Sequence, residues 1–161
     1  MLDFSEIERV LVVTAHPDDV DFGAAGTVAL LTDADIEVVY CLVTDGQAGG
    51  FEHSIPRDQM ASIRRAEQTK AAAQVGVTDL RFLGYMDGEV EVTMRLRHDI
   101  SAVIRDVRPQ VVIAQSPRRN LDSTYGSHPD HTASAEATMC AVYPDARNPF
   151  AFPGQPCSEL D

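Results

Sequence analysis

Apolar runs of two kinds alternate along this chain. Residues 10–15 (VLVVTA) and 36–44 (IEVVYCLVT) are continuous β-branched runs, the pattern of strands buried on both faces. Between them, residues 23–35 (GAAGTVALLTDAD) read as a short helix, with Gly23 and Gly26 expected to let it pack closely on a sheet. Residues 56–76 predict the clearest helix: Pro56 or Asp58 begins it, an Ala-rich stretch carries it and Gly76 stops it. Residues 79–85 (DLRFLGY) predict a third strand. Residues 93–108 predict a second clear helix, with Met94, Ile100, Val103, Ile104 and Val107 on one face and Pro109 behind it. Residues 110–116 (QVVIAQS) predict a fourth strand, and residues 131–143 a further helix stopped at Pro144. The end of the chain, 154–161, has no periodicity.

Strands that alternate with helices build a mostly parallel sheet with helices on both faces. The expected fold is therefore α/β and Rossmann-like, with strand order 3-2-1-4. In that order the first and fourth strands are neighbours, and a crevice opens at their carboxyl ends. Neither a repeat nor a linker divides the chain, so residues 1–153 are expected to form one domain, followed by an irregular tail.

Composition narrows the class. The chain has 161 residues, 44% of them apolar, which is enough for one real core. Its formal charge of −12 argues against nucleic acid and against an anionic membrane surface, since both select Lys and Arg. The start, MLDFSEIERVLVV, is acidic with a short apolar run, unlike a signal peptide or a membrane span. Cys41, Cys140 and Cys157 form no CxxC pair and no disulfide framework, and the expected compartment is the cytoplasm.

Two short motifs carry the chemistry. AHPDD (15–19) leaves the first strand and HPDH (128–131) follows the fourth, so the fold brings both to the crevice. Two His and one carboxylate commonly hold a catalytic metal and leave a position for water. His16 and Asp19 can supply two ligands and His131 the third. Asp18, beside Asp19, is placed to be a general base. His128 could face a carbonyl and, as imidazolium, stabilise an oxyanion or protonate a leaving amine. Asp130 could hold the other ring nitrogen of His128 and favour its charged form. Together these groups point to metal-assisted hydrolysis of an amide.

At these residues the chain resembles the PIG-L/LmbE-like family of zinc-dependent N-acetylglucosaminyl deacetylases. AHPDDVDFGAAGT and SHPDH carry the likeness, and VTDGQAGG, IRRAEQTKAAAQVGV, FLGYMDGEV and AVYPDARNPFAFP extend it from residue 9 to about 153. The last of these resembles an actinobacterial branch. The resemblance implies one zinc, or another divalent metal, on His16, Asp19 and His131. It implies Asp18 as base, His128 as electrostatic or acid partner and Asp130 behind it. It also implies Arg64 and Asp87 as sugar contacts, and a small N-acyl amino-sugar conjugate as substrate. Asp21 stands where the family more often has Glu, and Tyr125 lies one residue further from His128 than the assisting tyrosine of some relatives. Those relatives continue past Pro153 with strands that cover the sheet edge. Here the fourth strand is therefore expected to be an exposed edge, open to pairing with a second copy.

Three other readings compete. An amidase acting on thiol conjugates or N-acyl antibiotics would use the same site. A truncated, metal-binding but inactive paralogue would keep the ligands. A nucleotide-binding protein is disfavoured because the first strand–helix turn lacks GxGxxG. Further residues flank the crevice in sequence. His53 lies in a loop that could act as a lid, and Arg118 and Arg119 could meet an anionic group.

Overall fold

Four strands, β1 (Arg9–Thr14), β2 (Glu37–Thr44), β3 (Asp79–Tyr85) and β4 (Val111–Ala114), form one parallel sheet in the order β3-β2-β1-β4. The order is the expected one. This computed structural model describes residues 6–51, 54–122, 124 and 127–155. Among them no helix is long and apolar enough to cross a membrane.

Both central strands are buried along nearly their whole length, as continuous apolar runs require. Alternate residues face opposite ways. Val10, Val12, Val38, Tyr40 and Leu42 pack with Val20, Val28, Leu31 and Ala72 on one face. Leu11, Val13, Val39, Cys41 and Val43 pack with Leu96, Ile100, Ile104 and Ala137 on the other. Helices α1 (Asp19–Gly23), α2 (Ala25–Asp33) and α3 (Arg57–Gln74) therefore cover the first face. Helices α4 (Met94–Val107) and α5 (Pro129–Cys140) cover the second.

Several local expectations change. The helix expected over 23–35 runs Ala25–Asp33, and a separate short helix, Asp19–Gly23, precedes it across Ala24. Val20, Val28 and Leu31 then face the sheet, while Gly23 and Gly26 look outward, and a Cβ at either would touch nothing within 4 Å. Close packing is thus not their role. Met94 is exposed, because it lies about 200° around the helix from Leu96, which begins the buried stripe instead. Cys140 is only partly buried, whereas Cys41 is a core thiol. The last helix starts earlier and stops earlier than expected. Pro129 occupies its first turn, where a missing N–H costs nothing. Regular α-helix ends at Cys140, and Tyr143 leaves helical geometry (φ −150°, ψ 126°) because the residue before a proline is driven to extended backbone.

Gly76 does end α3. Its φ is +79°, and a Cβ there would approach Thr32 to 3.0 Å. At the other end of the sheet, β4 pairs only with β1 among the described residues, so its outer side carries no described strand.

A buried arginine ties the segment after α5 to α4. Arg105 is 6% exposed and donates to the carbonyl oxygens of Asp145, Ala146, Asn148 and Ala151 and to Gln155 Oε1. Arg97 grips Asp145 with two bonds of 2.7 and 2.8 Å. Removing the Arg105 guanidinium strands several acceptors that water does not reach well. Arg105→Met, which keeps the aliphatic stem, is expected to lower stability by about 3 kcal/mol. In a thermal melt that corresponds to a fall of roughly 6–12 °C; an unchanged midpoint would show that the segment is held by other contacts.

Candidate functional site

The site is assembled where β1 and β4 end side by side. Val13 pairs with Ala114, and just beyond, Gln115 Oε1 accepts the Ala15 N–H at 3.1 Å. That bond fixes the start of the 15–19 loop relative to the end of β4. The chain then returns through residues 115–127 and enters α5 with His128 as its N-cap.

His16, Asp19 and His131 come together. His16 Nδ1 lies 3.2 Å from His131 Nε2, His131 Nε2 lies 3.1 Å from Asp19 Oδ1, and Asp19 Oδ2 lies 3.4 Å from His16 Nδ1. Ligands at about 2.1 Å from a common cation stand roughly 3.0–3.4 Å apart for angles between octahedral and tetrahedral. These side chains therefore fit a divalent metal. Their charges agree: burial would push the His16 imidazole down, but the Asp19 and Asp87 carboxylates outweigh it and push it up to about 10. Burial also opposes charge on Asp19, yet His131 and His16 hold that carboxylate well below the usual range. A site that binds a proton so firmly has an excess of lone pairs, which a cation relieves.

Other groups surround this triangle. Nitrogens of His16, His128 and His131 lie within 4.8 Å of one another, and so do ligand atoms of His16, Asp87 and Asp130. The second group is poorer in free lone pairs. Asp130 already accepts the Gly88 N–H at 2.7 Å and the Val90 N–H at 3.3 Å, and Asp87 accepts the Ala48 N–H at 3.0 Å.

Asp18 stands beside the triangle in the left-handed region, with φ 86°. Its N–H donates to Gln68 Oε1. Its Oδ2 accepts from Arg64 Nη2 at 2.7 Å, and the same nitrogen donates to Pro17 O at 2.9 Å. Arg64, expected at a sugar, is thus spent at least in part on the backbone and carboxylate of the 17–18 turn. Gln68, 2% exposed, is a member of the site that the motifs do not name. A signal for it exists: it follows Arg64 by four residues and so shares its helix face.

Asp130 corrects an expectation. Its carboxylate does not face the His128 ring but lies 3.1 Å from His16 Nε2. What reaches His128 is the Asp130 backbone N–H, 3.2 Å from Nδ1. The cause is the helix start: an N-cap side chain accepts from the second helical N–H, and here the cap is a histidine. A ring nitrogen that accepts from a backbone N–H carries no proton, so His128 offers its proton at Nε2. Asp87, expected at a sugar, has Oδ1 3.2 Å from His16 Nε2. Asp21, 3.4 Å from Gln68 Nε2, is raised in pKa by burial above all. His53 and Tyr125 lie outside the described residues. Arg118 and Arg119 are in the β4–α5 loop, with no described contact to the triangle.

The profile of the PIG-L family, described as GlcNAc-PI de-N-acetylase, matches residues 11–142. The chain is similar to diacetylchitobiose deacetylase of Thermococcus kodakarensis, 37% identical over 129 residues that span 80% of this chain and 46% of that protein. It is 35% identical over 141 residues to a probable N-acetyl-alpha-D-glucosaminyl L-malate deacetylase 2 of Bacillus subtilis, 84% of this chain and 61% of the other. The solved N,N'-diacetylchitobiose deacetylase from Pyrococcus horikoshii, in complex with its inhibitor MPG, superposes with a TM-score of 0.85 at 32% identity. That match covers 91% of this chain and 53% of the other. This chain thus spans between 46% and 61% of the length of these relatives. With the family profile matched from the first strand to the end of the last helix, the chain belongs to the PIG-L family.

Proposed function

We propose that this chain carries the catalytic centre of a zinc-dependent amide hydrolase that removes the N-acetyl group from an N-acetylglucosamine-type conjugate. The observation that carries the proposal is the triangle of His16, Asp19 and His131, with edges of 3.1–3.4 Å and the Asp18 carboxylate beside it. The substrate class comes from the relatives, named for diacetylchitobiose and for a glucosaminyl malate.

The triangle would hold zinc, and zinc so held supplies Lewis acidity toward an acyl oxygen and lowers the pKa of a water molecule to about 7. The chain's own groups do the rest. Arg64 grips Asp18 Oδ2 and leaves Oδ1 to take the proton as water adds to the acyl carbon. His128 presents an Nε2–H that can donate to the oxyanion as it forms. Collapse of the tetrahedral intermediate breaks the carbon–nitrogen bond. The amine leaves with the proton that Asp18 or His128 delivers, and acetate is the second product.

Metal content and acetate release, measured on the purified protein with N,N'-diacetylchitobiose and N-acetylglucosamine, test the proposal directly. One zinc per chain with turnover is the expected result; zinc without turnover on any N-acyl sugar would leave a metal-binding protein that is not this enzyme. His131→Ala is expected to lose the metal, and a mutant that purifies with full zinc content would remove His131 from the ligand set. Asp18→Asn is expected to keep the metal while turnover falls by about 10²–10⁴-fold. Turnover in that variant equal to wild type would mean that another group takes the proton.

A further inference from the structure

Asp18 is the N-cap of α1, and an aspartate at that place ordinarily turns its carboxylate back onto the first free N–H groups of its own helix. Here it does not. The Asp18 side chain makes no capping bond, while its carbonyl oxygen accepts the Phe22 N–H at 3.2 Å. An ordinary N-cap also has extended backbone, whereas Asp18 has φ 86° and ψ −22°. The left-handed region is the less stable one for a residue with a Cβ, so a partner outside the turn must hold Asp18 there.

Gln68 is that partner. Its Oε1 accepts the Asp18 N–H, and its Nε2 donates to Asp21 Oδ1 at 3.4 Å. Asp21 thereby fixes which way the Gln68 amide lies: a carboxylate takes the nitrogen end and leaves the oxygen for Asp18. Gln68 is 2% exposed. Helix α3 buries two side chains, Gln68 and Ala72, and both lie on the face that begins with Arg64, at steps of four. Burying an amide has a desolvation cost that an apolar side chain of the same size escapes. The helix therefore forgoes apolar burial at 68, and the bond to Asp18 is what it gains. One turn earlier, Arg64 holds the Asp18 carboxylate at 2.7 Å. The same helix face thus grips Asp18 by its N–H and by its carboxylate, and Ala72 seats that face on the core.

We propose that Gln68, backed by Asp21, is a positioning residue for Asp18: it holds the Asp18 backbone in the left-handed region, which keeps the carboxylate off the end of α1 and beside the metal triangle. The inference rests on the metal-hydrolase reading above, in which Asp18 is the base.

Steady-state kinetics on N,N'-diacetylchitobiose, zinc content and amide hydrogen exchange at Asp18 test it on the purified chain. Gln68→Met removes the amide at nearly constant volume. Its kcat should fall by about 10–100-fold while KM changes by less than about 2-fold, since the base is displaced and the sugar is not. It should still bind one zinc, because the His16 N–H holds Asp19 Oδ2 at 2.7 Å without help from Gln68. In the metal-free variant the Asp18 amide should exchange about 10-fold faster or more. The melting midpoint should move by less than about 4 °C, because methionine asks for no partner at 68. Gln68→Glu keeps an oxygen for the Asp18 N–H but sets a second one against the Asp21 carboxylate, and should be as slow. Adding Asp21→Asn supplies a donor to Glu at 68 and should bring kcat back to within about 3-fold of wild type. Active wild type with an unaffected Gln68→Met would overturn this inference alone. So would loss of zinc from Gln68→Met, which would make Gln68 a support of the ligand loop, or a double variant no faster than Gln68→Glu, which would remove Asp21 from the role. Wild type that binds zinc and turns over no N-acetyl sugar overturns the hydrolase reading, and this inference with it.

Discussion

Everything at the site depends on the parallel pairing of β1 with β4. That ladder is short, four residue pairs from Val10–Val111 to Val13–Ala114, but it aligns the carboxyl ends of two strands separated by about a hundred positions in sequence. The two histidine motifs are loops that leave those ends. Neither could make a metal triangle alone, because His16 and Asp19 leave the third corner open and His131 arrives only from α5. The burial of β1 on both faces by Val and Leu supplies the rigidity, so the accuracy of the triangle is inherited from the core.

The backbone at Asp18 shows what this geometry costs. A residue with a Cβ at φ 86° is strained by about 1–2 kcal/mol, although aspartate tolerates the left-handed region better than most. The strain persists because Gln68 takes the Asp18 N–H while Arg64 takes its carboxylate and the Pro17 carbonyl. All of these bonds come from one face of α3, a helix that otherwise packs little more than Ala72 into the core. The helix thus serves the loop at least as much as the sheet. The two adjacent carboxylates have different partners: Asp18 pairs with Arg64, and Asp19 with His16 and His131.

Strand order and the meeting of the two motifs are legible in the sequence, since both follow from β–α alternation and from continuous apolar runs. The finer discrepancies share a cause: they need to know which way a side chain points. Gly23 and Gly26 have the spacing of packing residues, but the break at Ala24 rotates them outward. Met94 is apolar and lies at the edge of the α4 pattern, although the true stripe begins at Leu96. Nearness in sequence pairs Asp130 with His128; the helix geometry gives His128 the backbone N–H and sends the carboxylate to a residue 114 positions away. Gln68 has no such motif around it, because a buried glutamine announces itself only by its partners.

The crowding of Asp18, Asp19, Asp87 and Asp130 around one small volume has a consequence for traffic through it. Arg64 offsets part of that charge at Asp18, and the chain as a whole is acidic, at −12. Such a field gathers cations and thins out anions. A neutral amide would approach without hindrance, but its hydrolysis yields a carboxylate and an amine. On the proposed reading the carboxylate would be driven outward as it forms, and the amine, once protonated, would be held back. The order in which two products leave would then be written into the charge of the pocket rather than into any moving part.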